Sequence, residues 1–416
     1  MAHALGEGGW GHGLSRRRSE IFDVVANAVA NMPLLKLSEK DTIELRFKLH
    51  DRVCCKCGGA WATGVVVNKF YRQHSFPPGY CAAYQVRLEN GQLVFSPLDD
   101  DSMIRAATPD DFTTADQAAE AIAEDEFPLL PITSTSTLAA IKQLATGPRD
   151  VFIASYPKSG TTWLQAIVFE LASLGTDVEL DHISNFTPFL EADRTWTPDG
   201  EIAEPAASHQ AALGWRGFNT HLLHRHLPAG EKMRVLYVIR DAADACASMW
   251  HHFSHMAPAD GGFEGDLAAF HQQWLAGKIA FGTWRAHVGG WLLAAQSDPR
   301  VLLLSYEAMK ADAAASVRRV AAHLAVDLTD EQLAEVVERT SFASMKANAA
   351  RYHPTSVEWL DKGDGFAFIR KGTVGDAAEC LTPAQLAACR EAADGDDPHA
   401  MAIRALLMDS ARNGFK

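Results

Sequence analysis

A lysine and several small polar residues stand where one apolar run of the sequence gives way to another. The segment Val151–Leu174 reads VFIASYPKSGTTWLQAIVFELASL, which predicts a buried strand, a short polar loop and a helix. The N-terminus of a helix presents free N–H groups and the positive end of the helix dipole, so it favours an anion. Lys158 adds a full charge, and Gly160 lets the backbone approach a phosphate closely. The loop is therefore a candidate phosphate-binding site.

The same loop also has an ordinary structural interpretation, in which Ser159 or Thr161 caps the helix at a simple strand–helix turn. Its residue order differs from the nucleotide-hydrolase loop G-x-x-x-x-G-K-[ST], where the lysine follows the glycine. Here Lys158 precedes Gly160, and no glycine stands earlier in the strand. The pattern indicates a related phosphate-binding loop that matches a Mg-ATP site poorly.

A second segment, YVIRDAADACASMWHHF, predicts a strand ending near Arg240 and a following helix that carries Ser248. Parallel sheets bind ligands at the carboxyl ends of their strands, and a guanidinium suits a phosphate through paired hydrogen bonds. Taken alone, Arg240 has a second explanation, a surface ion pair with Asp241 or Asp244.

Two histidine-rich segments offer candidates for acid–base chemistry, because a histidine titrates near neutral pH. GWRGFNTHLLHRHLP contains His221, His224 and His226, and MWHHFSH contains His251, His252 and His255. An isolated loop histidine is more often solvated or packed in a core. His251 and His255 are four residues apart and suit a shared metal ion, but no acidic third ligand stands nearby.

The loop YPKSGTTWLQ closely resembles the 5′-phosphosulfate loop of the cytosolic sulfotransferase family. That family moves a sulfonate group from 3′-phosphoadenosine-5′-phosphosulfate (PAPS) to a hydroxyl or an amine. YVIRDAADACASMWHHF, LLLSYEAMK, RTSFASMK and FIRKGTVGD are similar to further family segments and follow in the family's order. The resemblance covers about Asp150–Thr382, roughly the C-terminal two thirds of the chain.

The resemblance implies roles for individual residues. It places His221, Lys158 and Ser248 in the catalytic group, with His221 as the base and Lys158 neutralising the departing oxygen. It implies a PAPS site without a metal, formed by Lys158, Ser159, Gly160, Thr161, Thr162, Trp163, Arg240, Ser248, Tyr306, Thr340, Phe342, Arg370, Lys371 and Gly372. In that site Arg240, Ser248 and the Arg370–Gly372 segment hold the 3′-phosphate.

The sequence departs from the family pattern in several places. Asn219 stands where a lysine is usual, which removes one cation from the expected site. After Asp376 the chain reads AAECLTPAQLA, so Ala377 and Ala378 replace the family's Trp-Lys pair. That stretch commonly forms the family's dimer contact, and its loss predicts no dimer by that route.

Composition and pattern divide the chain into four parts. Residues 1–45 form an extension with a helix around Ile21–Ala30, and residues 46–107 are rich in β-branched and aromatic residues. Asn90–Gly91 predicts a hairpin there, and the short strands suggest a small SH3- or Tudor-like barrel. Residues 108–134 form an acidic linker. Residues 135–416 alternate short apolar strands with helices, which predicts a parallel sheet covered on both faces. The resemblance implies that this part is a three-layer α/β sulfotransferase domain with a P-loop-like phosphate-binding loop.

The β-rich part raises two further possibilities. Its aromatic residues Trp61, Phe70, Tyr71 and Tyr84 suit either an aromatic cage for a protein or peptide partner, or ordinary core packing. The run CCKC from Cys54 to Cys57, with Cys81, invites a zinc site, but no second matching pair follows, so buried cysteines are favoured.

The bulk properties exclude some classes of protein. The net charge is −14, and no basic face indicates nucleic-acid binding. No apolar stretch reaches the length of a membrane span. The seven cysteines are irregularly spaced, which favours a reducing compartment. The N-terminus lacks an apolar signal core, so the cytoplasm is expected, with an organelle transit segment around Arg16–Arg18 as the alternative.

Two rival functions remain open at this point. One is a nucleoside or small-molecule kinase with an atypical phosphate loop, although no acidic Mg²⁺ ligand follows a strand as such an enzyme requires. The other is a catalytically weakened nucleotide-binding regulatory protein, suggested by Asn219 and the Ala377–Ala378 pair. The acceptor is a small molecule whose pocket is shaped by residues 182–196 and 249–263.

Overall fold

The structure is a computed structural model that describes residues 34–40, 42–48, 51–57, 60–72, 76–88, 93–108, 127–363 and 365–413. The chain divides into two compact units, Met1–Thr113 and Thr114–Lys416. The expected helix at Ile21–Ala30, the basic triplet and the Asn90–Gly91 turn lie outside the described residues.

The N-terminal unit is an antiparallel β-sheet, as predicted. Its strands run in the order β1-β4-β3-β2-β6, with β5 also paired to β4. Val53, Val66, Val86 and Ile104 are fully buried and belong to the hydrophobic core of this unit. The strands are β1 Leu35–Lys36, β2 Arg52–Cys57, β3 Ala60–Tyr71, β4 Tyr80–Leu88, β5 Leu93–Ser96 and β6 Ile104–Ala106.

The aromatic side chains of this unit have separate surroundings. Tyr84 is fully buried, and its hydroxyl donates to Asp99, so it cannot contribute to a surface cage. Tyr71 packs against Phe76. Trp61 is 40% exposed and lies beneath the cations of two flanking side chains, Lys56 and Arg105. Core packing is therefore the correct explanation for Tyr84.

The C-terminal unit is built on a parallel four-stranded sheet in the order β10-β9-β7-β8. The strands are β7 Asp150–Ser155, β8 Arg216–Thr220, β9 Arg234–Ile239 and β10 Val301–Ser305. The sequence pattern predicted β7, β9 and β10. It missed β8, because RGFNT offers Phe218 as its only large apolar side chain.

Helices cover both faces of this sheet, which confirms the predicted three-layer α/β fold. Alternate residues of β7 point to opposite sides: Phe152 and Ala154 enter one core cluster, Val151 and Ile153 the other. The helices are α1 Thr135–Gln143, α2 Thr161–Ala172, α3 Ala206–Leu213, α4 Ala242–Phe253, α5 Leu267–Leu275, α6 Trp284–Ala295, α7 Tyr306–Ala311, α8 Ala313–Leu324, α9 Asp330–Arg339, α10 Phe342–Ala347, α11 Pro383–Ala393 and α12 Pro398–Asn413. None of them, over the described ranges, combines the length and apolar character needed to cross a bilayer.

The carboxyl ends of the four strands bring the candidate residues to one edge of the sheet. The loop with Lys158 follows β7, His221 follows β8, Arg240 follows β9 and Tyr306 follows β10. Because all four strands are parallel, their carboxyl ends meet at the same edge, which is where such sheets bind ligands.

Candidate active site

A cavity of ≈ 800 Å³ opens at this edge of the sheet. Ser159 lies outside the cavity wall and is fully buried. All the other predicted site residues line the cavity: Lys158, Gly160, Thr161, Thr162, Trp163, His221, Arg240, Ser248, Tyr306, Thr340, Phe342, Arg370, Lys371 and Gly372.

The phosphate loop leaves the start of α2 open to a ligand. Gly160 occupies the cap position with φ 112°, and no side chain caps the helix there, so neither Ser159 nor Thr161 acts as the ordinary cap. A Cβ on Gly160 would lie 2.8 Å from Cδ2 of Tyr306. Glycine is therefore required both for the left-handed backbone and for the close approach of Tyr306.

Lys158 is held against aromatic rings at the centre of the cavity. Its Nζ lies 3.9 Å from the ring centre of Phe368 and 3.4 Å from Nδ1 of His252. Burial, with a smaller contribution from Arg240 and Arg370, lowers the pKa of Lys158 to about 7. An anion beside this ammonium group would relieve the repulsion between the three cations.

Arg240 is buried at the end of β9, not paired on the surface. Its Nη1 donates to the Lys158 carbonyl at 3.2 Å, and its Nη2 donates to the Thr373 carbonyl at 3.2 Å. Its guanidinium lies 4.6 Å from the ring centre of Tyr306 and 3.5 Å from a carboxylate oxygen of Asp244. Its Nε is buried without a hydrogen-bond partner among the described residues, which suits a donor that meets a ligand.

The late basic segment reaches the cavity with its cations paired. Arg370 and Lys371 both contact Asp376, and Lys371 also bonds Glu379 at 2.5 Å. Gly372 has φ 62°, and a Cβ there would come within 2.4 Å of the Phe342 ring. The segment therefore closes tightly over an aromatic side chain that the sequence placed beside the nucleotide.

Aromatic and aliphatic groups form the rest of this end of the cavity. Trp163 contacts the edge of Tyr306 at 5.9 Å between ring centres. Lys310 lies over both Trp163 and Phe342, at 5.9 and 5.8 Å. Thr340 is buried and donates to the Val336 carbonyl. Flat rings next to cations suit a purine carrying phosphates.

His221 has its tautomer set by the strand beside it. Its Nδ1 lies 2.9 Å from the Ser155 carbonyl and so carries the hydrogen, which leaves Nε2 as a hydrogen-bond acceptor. The rings of Phe189 and Phe281 flank it at 5.6 and 5.2 Å. Burial, with Lys158 as the neighbouring charge, lowers the pKa of His221 to about 4. The imidazole is therefore neutral at pH 7 and can accept a proton.

Three buried residues that the sequence did not single out hold the backbone of His221. Glu191 accepts its N–H, and Nε2 of His287 donates to its carbonyl at 2.8 Å. Tyr237 donates its hydroxyl hydrogen to Nδ1 of His287 at 2.8 Å, which fixes that ring. Burial raises the pKa of Glu191 to about 8. No sequence signal marked these residues, because their partners come from distant strands and helices.

The remaining histidines have structural contacts. His224 is part-exposed and pairs with Asp298 at 2.8 Å, and His226 is buried. His255 stacks on Phe366, so of the second cluster only His252 lines the cavity. Over the described ranges, no three histidine, cysteine, aspartate or glutamate side chains are grouped so as to hold a metal ion.

The opposite end of the cavity is apolar and begins at His221. Phe189, Phe253, Met256 and Phe281 line it together with Asn219. Phe189, Phe253 and Met256 come from the segments that the sequence assigned to an acceptor pocket, whereas Asn219 and Phe281 lie outside those segments. The cavity therefore has a cationic end with two obligatory glycines and an aromatic end, joined at Lys158 and His221.

Comparisons with known proteins agree with this geometry. The Sulfotransferase domain family matches residues 148–402. Sulfotransferase 1C2 of Oryctolagus cuniculus is 35% identical over 254 residues, which is 59% of this chain and 82% of that protein. Sulfotransferase 1C2 of Homo sapiens is 33% identical over 271 residues, covering 63% and 88%.

Solved structures show the same fold. Mouse sulfotransferase SULT7A1, complexed with PAP, is 27% identical with a TM-score of 0.50, over 67% of this chain and 95% of that chain. Retinol dehydratase, in a complex with retinol and PAP, is 21% identical with a TM-score of 0.52, over 75% and 91%, and shows the fold alone.

Fold and site together define an α/β protein with a cavity lined by cationic side chains at the carboxyl edge of its parallel sheet. The family match covers more than half of the chain, and the chain belongs to the Sulfotransferase domain family. It is a PAPS-dependent sulfotransferase, as the segment YPKSGTTWLQ predicted, and the kinase alternative finds no support.

Proposed function

We propose that His221 is the general base, and that Lys158 stabilises the leaving group, in sulfonate transfer from PAPS to a hydroxyl or an amine of a small molecule. PAPS supplies a sulfonate joined to a phosphate through one bridging oxygen. The tautomer of His221 is the observation that supports this role most directly, because its free Nε2 lines the cavity.

Lys158 suits the second role by position and charge. It follows β7, as His221 follows β8, and its charge acts on His221. A cation between the two ends of the cavity would neutralise the bridging oxygen, which stays on the phosphate and keeps the electron pair when its bond to sulfur breaks. Ser248 lines the same cavity from α4 and would add a hydroxyl donor.

Arg240, Ser248, Arg370, Lys371 and Gly372 would hold the 3′-phosphate, and Tyr306, Thr340 and Phe342 would surround the adenosine. The loop Lys158–Trp163 would hold the 5′ end of the donor. The buried, unpartnered Nε of Arg240 supports this assignment. A dianion would also compete with Asp376 for Arg370 and Lys371. The 3′-phosphate would then distinguish this donor from ATP.

The His221→Ala variant tests the base. We expect transfer to fall by about 10²-fold or more, while stabilisation by adenosine 3′,5′-bisphosphate (PAP) stays near that of wild type. His224→Ala is the matched control, because His224 is paired with Asp298, and it should keep its turnover. Retained turnover in His221→Ala would remove His221 from the role.

Thermal stabilisation by PAP and by AMP tests the proposed contacts to the 3′-phosphate of the donor. We expect PAP to raise the melting temperature more than AMP, which lacks the 3′-phosphate, and Arg240→Ala to abolish that difference. Equal stabilisation of wild type by the two nucleotides would contradict the assignment of the cationic end.

We further infer that the enzyme acts in the cytoplasm, since all seven cysteines are free, which suits a reducing compartment. Active enzyme found in an oxidising compartment would contradict this.

The expected loss of the family's dimer contact also stays a prediction. In that stretch Ala377 and Leu381 are buried within the unit, and a dimer of the purified protein that is cross-linked through this stretch would contradict it. A protein or peptide partner for the N-terminal unit stays a prediction as well.

A further inference from the structure

The side-chain amide of Asn219 stands out in the wall of the cavity. Asn219 lines the cavity near His221, two residues along the chain, and its Oδ1 is buried without a hydrogen-bond partner among the described residues. Gln165, the other buried amide there, donates through Nε2 to Thr187 at 2.8 and 3.2 Å. A buried carbonyl oxygen left without a donor is costly, so a ligand hydrogen is expected to meet it.

The charges around His221 limit which nucleophile the site can activate. Lys158 is the charged neighbour that acts on His221, and in the proposed function it serves the departing oxygen. Asn219, at the neighbouring position, carries no charge. An oxygen nucleophile gains negative charge as it loses its proton and would need a second cation. A neutral amine gains positive charge as it attacks and needs none.

The acceptor end also disfavours a charged ammonium group. Phe189, Phe253 and Phe281 line it, and taking an isolated charge out of water among apolar rings is unfavourable. Among the described carboxylates that line the cavity, Glu204 is exposed and bonded to Ser208, and Asp376 is paired with Arg370 and Lys371. An ammonium group would therefore lack a counter-ion, whereas an arylamine is uncharged at neutral pH.

We propose that the preferred acceptor is an uncharged aromatic amine, with one N–H directed to Nε2 of His221 and the other to Oδ1 of Asn219. A hydroxyl has one hydrogen, which His221 must take, and would leave Oδ1 of Asn219 unpaired. The inference rests on the proposed function, because it needs His221 as the base.

The transfer balances without a further reactant. The amine nitrogen attacks sulfur with its lone pair, and an N–S bond forms as the bond from sulfur to the bridging oxygen breaks. That electron pair remains on the 5′-phosphate of PAP, next to Lys158. The nitrogen loses one proton to Nε2 of His221, and the product is an N-aryl sulfamate.

The test compares 2-naphthylamine with 2-naphthol, which share one ring system, as acceptors for the full-length chain with PAPS. We expect kcat/KM for the amine to be at least about tenfold higher, the effect of one buried hydrogen bond. Asn219→Leu should lower the value for the amine by about tenfold and change that for naphthol less than threefold. Asn219→Lys should shift the ratio of the two kcat/KM values toward naphthol, because it places a further cation beside the attacking oxygen.

Asn348→Lys is the matched control, because Asn348 is exposed at the end of α10 and lies outside the cavity wall. Its ratio should equal that of wild type. Equal or better use of naphthol by wild type, or a parallel loss for both acceptors in Asn219→Leu, would overturn the inference, as would turnover of neither acceptor while PAP still stabilises the protein. If PAP does not stabilise the wild-type protein, the proposed function itself is overturned.

Discussion

Lys158 is buried among like charges that a bound anion would compensate. Its ammonium group is buried beside Arg240 and Arg370, and it rests against the Phe368 ring and His252. Burial of like charges without an anion is unfavourable, so we expect part of the affinity for a bisphosphate to come from relieving this repulsion.

The depressed pKa of Lys158, about 7, predicts that PAP binding takes up a proton. The free enzyme loses the proton as the pH rises through 7, and the bound phosphates raise the pKa again. Between the pKa of the free enzyme and that of the complex, PAP binding must therefore be accompanied by uptake of a proton. The affinity for PAP should fall as the pH rises, by up to about tenfold per pH unit.

Calorimetry of PAP binding at pH 8, in buffers of different ionisation enthalpy, measures this uptake. On binding PAP, Lys158→Met should take up fewer protons than wild type, by at most one. Lys158→Arg stays charged, so its proton count should equal that of Lys158→Met, while its affinity for PAP should be higher. An identical proton count in wild type and Lys158→Met would contradict the prediction.

Gly160 predicts a second effect at the residue scale. Gly160→Ala should lower the free energy of unfolding by about 1 kcal/mol because of the left-handed backbone. The clash with Tyr306 should lower it by roughly 1–3 kcal/mol more. It should also weaken PAP binding, because Tyr306 or the loop must move.

The control for Gly160→Ala is Gly175→Ala. Gly175 has φ +73°, with nothing within 4 Å of an added Cβ. This variant should lose only the backbone share, about 1 kcal/mol of the free energy of unfolding, and bind PAP normally. Equal effects of the two variants would show that the close approach of Tyr306 is not required.

Helix α4 links two binding segments that are far apart in the sequence. Asp244 on α4 accepts N–H bonds from Gly375 and Ala377 at 2.8 and 2.9 Å and also faces Arg240. The late segment is thereby tied to the strand that carries Arg240. Ala377 is buried at this junction, where the family pattern has a tryptophan, so the backbone contacts to Asp244 carry the connection.

Asp244→Ala should lower the free energy of unfolding by about 3 kcal/mol, because it leaves a buried guanidinium without its carboxylate partner and the N–H groups of Gly375 and Ala377 without their acceptor. It should also weaken PAP binding, which isothermal calorimetry would measure. Asp312→Ala removes an exposed cap of α8 and should cost about 1 kcal/mol with unchanged PAP affinity. Unaltered PAP affinity in Asp244→Ala would contradict the linking role.

At the scale of the whole molecule, every residue that lines the cavity belongs to the unit Thr114–Lys416. We infer that the unit Thr114–Lys416, which contains the catalytic domain proposed for residues 135–416 and also Leu130 of the cavity wall, carries the donor and acceptor sites by itself. The β-rich unit, proposed for residues 46–107, has a hydrophobic core of its own around Val53, Val66 and Ile104.

The chain shortened to Thr114–Lys416 should therefore fold and show the same melting-temperature increase with PAP as the full chain. The reason is that no cavity residue is removed. A folded fragment that PAP no longer stabilises would contradict the inference and give the N-terminal unit a part in donor binding.

The sequence by itself determined the family, the parallel α/β layers and the residues at the cationic end, because these depend on local order: a glycine and a lysine at a strand–helix turn, and an arginine at a strand end. It did not find β8, whose pairing with β7 compensates for a weakly apolar sequence. It also did not find Glu191 or His287, and it named Asp244 only as a surface partner of Arg240, not as the buried acceptor for the late segment.

The tertiary structure alone decided those residues, and also the buried states of Lys158 and His221. The pKa of each depends on burial and on charges from other strands and helices, and long-range packing is not encoded in the spacing of nearby residues. The same holds for the unpaired Oδ1 of Asn219: the sequence identifies the residue that replaces a lysine, but only the folded cavity shows that its amide lacks a partner.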